Sequence, residues 1–147
     1  VEQAVANGVE MEQVGETQVC NWDTEMAQKA MEAMLAANEG KIELVLANND
    51  GMAIGCVAAL SNIGYNTGAE GAGFIPVIGV DATDAAKDAI ANKTMSATVL
   101  QDGDAMGKAI AAVTLNMAAG NEALADTEYT LDETGVAVRI PYAPYEG

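Results

Sequence analysis

Three short apolar runs, each followed at once by a carboxamide or carboxylate and then by an Ala- and Met-rich segment, constrain this chain more than any other feature. They are Ile42–Ala47 before Asn48-Asn49-Asp50, Phe74–Val80 before Asp81, and Ser96–Leu100 before Gln101-Asp102. Nearly continuous apolar strands are what a parallel sheet covered on both faces requires. The segments behind them read as helices. Asn48-Asn49-Asp50 cap one that carries Met52, Ala53, Cys56, Val57 and Leu60, a second runs from about Thr83 to Ala91, and a long third spans roughly Asp104–Ala119. In the third, Met106, Ile110, Val113, Leu115 and Met117 cover more than one face, so it needs neighbours on both sides. Strand-helix alternation predicts an α/β fold with a doubly wound, mostly parallel sheet.

The flanks extend the pattern. Ala4–Asn7 before Gly8 reads as the tail of a helix, and Val9–Val19 alternates like a strand. Asp23 is an N-cap for a helix with the apolar stripe Met26, Ala27, Ala30, Met31, Met34 and Leu35, which Asn38 and Gly40 end. Gly64–Gly73 is a Gly-rich loop. Tyr129–Leu131 and Val136–Ile140, joined by Asp132-Glu133-Thr134-Gly135, read as a hairpin.

Composition removes whole classes of activity. The 147 residues carry 22 acidic and 6 basic side chains, a formal charge of −16. That excludes the clustered Lys and Arg that hold a nucleic-acid backbone or an anionic lipid surface. There is no His, which removes the commonest general base and transition-metal ligand. With no G-x-G-x-x-G fingerprint and no nucleophile-base pair, the chain reads as a binder and not an enzyme. Cys20 and Cys56 fit no zinc spacing and read as small packing residues, with their pairing left open. No apolar run approaches the roughly 20 residues of a membrane span.

In open α/β sheets a ligand sits beyond the carboxyl ends of the strands. There stand Asn21-Trp22-Asp23, Asn48-Asn49-Asp50, Asp81 and Gln101-Asp102. Carboxylates accept from adjacent hydroxyls, carboxamides donate and accept, and an indole offers a flat apolar surface. Together they suit a neutral polyhydroxylated ring. Each also has a plainer reading: Asp23 and Asp50 as helix caps, Trp22 as a packing residue, Asp81 as a turn acid.

The run Lys41-Ile42-Glu43-Leu44-Val45-Leu46-Ala47-Asn48-Asn49-Asp50-Gly51-Met52-Ala53-Ile54-Gly55 closely resembles the galactose/glucose-binding proteins of bacterial ABC uptake systems. Trp22-Asp23-Thr24, Pro76–Ala82, Thr98-Val99-Leu100 and Val138–Tyr142 match in the same order, so the resemblance covers nearly the whole chain. It implies a two-lobed periplasmic binding protein that closes on a monosaccharide, galactose or glucose, and delivers it to an ABC transporter permease. It further implies an extracytoplasmic location, in the periplasm or at the cell surface as a lipoprotein. Carried over by position, Trp22 stacks on the pyranose, and Asn49 and Asp81 hydrogen-bond its hydroxyls. Gln101 stands where the family usually has Asn, its amide about one methylene further out. No cofactor is required; Glu43 matches a carboxylate that completes a structural calcium site whose other ligands lie outside this chain. The Gly64–Gly73 loop is longer than the family's usual connection.

The same resemblance makes the chain the carboxyl-terminal part of a larger protein. Residues 1–100 are expected to form a partial carboxyl-terminal sugar-binding lobe. Residues 101–131 cross the hinge into the amino-terminal lobe, and 132–147 return with a terminal strand. In the strand order 2-1-3-4-5, the strand between Val9–Val19 and Ile42–Ala47 is absent, so an upstream half or another copy is expected to complete the sheet. The competing assignment within this fold is the effector-binding domain of a sugar-responsive LacI-type transcription regulator, which a helix-turn-helix headpiece upstream would reveal.

Overall fold

In the computed structural model, which describes residues 2–147, side-chain caps start the helices as their residue types dictate. Asp23 Oδ1 accepts from Met26 N at 2.7 Å and opens α2 (Thr24–Ala37). Asn49 Oδ1 accepts from Met52 N at 2.8 Å and opens α3 (Asp50–Asn62). Thr83 caps α4 (Asp84–Ala91) and Asp102 caps α5 (Gly103–Ala118). Each cap satisfies an amide that the first helical turn leaves without an intrahelical partner. A short α1 (Glu2–Ala6) precedes them, ending before the left-handed Gly8.

Four strands form one sheet in the order β1-β2-β3-β4: β1 (Val45–Leu46), β2 (Val77–Asp81), β3 (Ala97–Leu100) and β4 (Ala143–Tyr145). The first three are parallel, with Val45 opposite Val77 and Asp81 opposite Leu100. The last is antiparallel to β3, placing Leu100 opposite Ala143. Pro144 is tolerated there because β4 is the outer strand, where a missing donor breaks no ladder. This is the expected open α/β sheet, built of strands joined through α3 and α4.

The core lies under α3. Leu60, Val77, Ala53, Ala59 and Met95 are almost wholly buried, joined by Met31 and Ala27 from α2 and Ile90 and Ala86 from α4. α3 packs on both β2 and α2, so α2 reaches the sheet mainly through α3. The two helices approach closely because α3 has Gly55 at their crossing. A Cβ there would collide with the carbonyl oxygen of Thr24 and lie 3.1 Å from Gln28 N.

Several expectations need correction. Val9–Val19 forms no strand; residues 9–19 run over the surface, almost all exposed. An alternating pattern becomes a strand only with a neighbouring ladder, and among the described residues none lies beyond β1. The run Ile42–Ala47 shrinks to two paired residues for the same reason, since its other edge is unpaired. Phe74 and Ile75 stay outside β2, because Asn66 takes the Ile75 backbone: its Oδ1 accepts from Ile75 N at 2.9 Å and its Nδ2 donates to Ile75 O at 2.8 Å. The hairpin at Tyr129–Leu131 and Val136–Ile140 reduces to one bridge, Leu131 opposite Val138. Finally, Asp50 is no cap. Asn49 performs that role, and the Asp50 side chain turns inward.

Candidate functional site

Parallel strands bring their carboxyl ends to one edge of the sheet, and the candidate residues gather there. Asn49 follows β1, Asp81 ends β2 and Gln101 follows β3. Trp22 joins them from the turn before α2: Asn49 Nδ2 donates to its carbonyl oxygen at 3.4 Å. Asn21 and Trp22 are consecutive left-handed residues, φ 49° and 64°, and the turn leaves the indole 66% exposed. Among the described residues little covers this Trp.

Asn49 combines both readings made from sequence. Its Oδ1 caps α3 and one N–H holds the Trp22 carbonyl, leaving the second N–H and an oxygen lone pair for a ligand. Asp81 is half-buried at φ 117°, followed by Ala82 at φ 57°, both unusual for residues with a Cβ. Burial, and after it the charge of Asp50, pushes the Asp81 carboxyl above its ordinary value. Among the described residues no donor engages it, so its acceptor capacity is unspent. Such a carboxylate gains most from a ligand that brings hydroxyl donors.

Gln101 is held differently. Its Nε2 donates to the Tyr142 hydroxyl at 3.3 Å, at a cavity of about 180 Å³ that Asp102, Met106, Val138 and Arg139 also line. Arg139, the cation in this cavity, is engaged by Asp132 at 2.7 Å. Asp132 also accepts from Thr134, and these bonds, Thr134 first, hold its carboxyl below the ordinary value.

Glu43 lies apart, exposed and ahead of β1. Among the described residues no group of three or more Cys, Asp or Glu could hold a metal ion. Calcium takes six to eight oxygens, and Glu43 supplies a single carboxylate, so the residues present do not by themselves form a calcium site. Cys20 and Cys56 are free, buried and in the same core cluster. Burial, then Cys20, pushes the Cys56 thiol up to about 11.

Sequence reading missed the roles of two buried residues, Asn66 ahead of the starts of β2 and β3 and Asp50 at the carboxyl ends of the strands. Asn66, buried at φ 49°, fastens the Gly64–Gly73 loop through Ile75 and Thr94. Asp50 is wholly buried among Thr83 and Thr98.

Residues 1–122 match the family described as periplasmic binding protein domain. The D-galactose/methyl-galactoside binding periplasmic protein MglB of Haemophilus influenzae is 34% identical over 143 residues, 97% of this chain and 40% of that protein. The D-xylose-binding periplasmic protein of Escherichia coli is 35% identical over 114 residues, 78% of this chain and 33% of that one. An ABC transporter periplasmic solute binding protein from Actinobacillus succinogenes, solved with bound D-allose, superposes with a TM-score of 0.70 at 24% identity. It covers 88% of this chain and 40% of its own. The chain thus spans about two fifths or less of the length of these relatives, and the match over residues 1–122 makes it a member of the periplasmic binding protein family.

Proposed function

We propose that the protein is the sugar-capturing component of an ABC uptake system, binding a monosaccharide, galactose or glucose, by closure of two lobes of which this chain supplies one wall. The observation that carries this reading is the Trp22–Asn49–Asp81 edge. A carboxamide with spare donor and acceptor and an unengaged carboxylate stand at the carboxyl ends of adjacent parallel strands, and an exposed indole joins them from the turn before α2. The indole suits the C–H face of a pyranose and the polar groups its hydroxyl rim. The 34% identity to a galactose-binding relative along 97% of the chain favours a hexose, and the 35% identity to a xylose-binding one makes pentoses the comparison to run. Location outside the cytoplasm and delivery to a membrane permease belong to the same proposal. Glu43 would contribute one calcium ligand, with the remainder supplied from elsewhere.

The test is calorimetric titration of the full-length protein with D-galactose, D-glucose and D-xylose. Galactose or glucose is expected to bind, and Asp81→Ala to weaken that binding by about 5- to 150-fold, the equivalent of losing a 1–3 kcal/mol buried polar partner. Unchanged affinity in the variant would sink the assignment of Asp81. A preference for xylose would correct the sugar.

A further inference from the structure

Asp50 has no exposed surface, yet three donors converge on its carboxylate. Oδ2 accepts from the backbone N of Thr83 at 2.7 Å and from Thr83 Oγ1 at 3.1 Å. Oδ1 accepts from Thr98 Oγ1 at 2.5 Å. Thr98 Oγ1 in turn accepts from Ala82 N at 3.4 Å. These bonds bracket one turn, Asp81-Ala82, whose two residues both sit at positive φ. Such a turn is costly for residues with a Cβ and persists only where its surroundings hold it. Gly79 belongs to the same device. A Cβ there would strike Asp50 Oδ1, so the bare glycine on β2 makes room for the carboxylate.

The geometry points to Asp50 as the positioning residue for Asp81: by gripping Thr83 and Thr98 it holds the Asp81-Ala82 turn and aims the Asp81 carboxylate at the ligand edge. This rests on the reading of Asp81 as a sugar-binding residue. A buried carboxylate suits the task because it is acceptor-only, and its neighbours here are donors. Its charge also reaches Asp81, whose carboxyl is raised by burial first and by Asp50 second. The other charged groups around that turn are otherwise occupied. Asp84 and Lys87 on α4 face each other at 3.9 Å, Asp23 caps α2 and Asp102 caps α5. β3, from Ala97 to Leu100, has no charged residue.

The experiment uses the full-length protein with Asp50→Asn and Thr98→Val. Without sugar, the Asp81 carboxyl is titrated by carbon NMR; with D-galactose, affinity is measured across pH. Asp50→Asn removes the repelling charge, so the Asp81 titration is expected to move to lower pH, and the acid-side loss of binding moves with it. Near neutral pH the same variant is expected to weaken binding at least about tenfold, because an amide N–H now faces donors. Thr98→Val, which keeps the Asp50 charge and the side-chain shape, is expected to weaken binding about threefold or more. If Asp50→Asn folds and either D-galactose affinity near neutral pH stays at the parent's or the Asp81 titration does not move, the proposal is overturned. Should that variant fail to fold, Thr98→Val decides, and affinity within experimental error of the parent overturns it. If the parent binds no sugar, the sugar reading fails, while the ligand-free titration still judges the role of Asp50.

Discussion

The stretch from α2 to β3 and the stretch from α5 onward contain helices of similar composition with opposite fates. In the first, α3 buries Ala53, Cys56, Val57, Ala59 and Leu60 between α2 and the sheet. In the second, α5 buries only Ala109, and Ile110, Leu115 and Met117 stand 64%, 71% and 64% exposed. Both helices are rich in Ala, Met and branched aliphatics, and both have side-chain caps. The difference is the partner. α3 has a sheet below it and a helix above, whereas α5 packs appreciably on no other helix or strand among the described residues. What holds the second region is local and polar: Asn116 Nδ2 donates to the Ala123 and Ala125 carbonyls, and Asp132 gathers Thr134 and Arg139. The lesson is that an apolar stripe records a need for cover, and not which surface provides it.

The contrast can be broken most directly at Leu60. Leu60→Ala leaves a cavity in the fully buried layer and is expected to cost about 2–5 kcal/mol, read as a lowered midpoint in chemical denaturation of the 147-residue chain. A loss below about 1 kcal/mol would mean that the α3 layer is not the close-packed region described here.

A second probe reads the same layer through its thiols. With its pKa near 11 and not 9.0, Cys56 holds about a hundredfold less thiolate near pH 8 than an exposed thiol. Native protein is therefore expected to resist iodoacetamide at Cys56 and to label quickly in denaturant. Rapid labelling of the native state would show that α2 and α3 separate readily at the Trp22 end.

The smallest effect is expected at Leu115. Since that side chain is largely exposed, Leu115→Ser in the 147-residue chain should change stability by no more than about 0.5 kcal/mol. A loss approaching that of Leu60→Ala would erase the distinction between the regions. The same substitution in the full-length protein sharpens it, because a large loss there and none here would show that α5 finds its cover outside these residues.

Local chemistry made much of the fold legible. Asp23 and the Asn49 carboxamide start their helices as residue type requires, and the runs around Val77–Val80 and Ala97–Leu100 are strands because their pattern admits little else. The candidate site was legible in part for the same reason: strand ends are where an α/β sheet presents its ligand edge, so Asn49 and Asp81 could be named from order alone, whereas Trp22 was named after a strand that does not form and reaches the edge through the turn before α2. Gln101 could be named too, although its bond to Tyr142 depends on a segment that returns from 41 residues further along the chain. Asp50 and Asn66 were misread or passed over, since their partners lie 33 and 48 residues away for the one and 9 and 28 for the other.

By itself, the sequence determined the strand-helix alternation, the caps, the acidic surface and the chemical kinds of group at the strand ends. All of these follow from interactions within a few residues or from composition. Tertiary structure alone decided that Val9–Val19 runs as surface chain, that β1 pairs over only two residues, and that α5 stays bare. Each depends on whether a neighbouring ladder or layer exists. It also decided that Asp50 turns inward. A buried carboxylate is tolerable only where distant donors converge on it, and Thr83 and Thr98 meet there only once β2, β3 and α3 have packed.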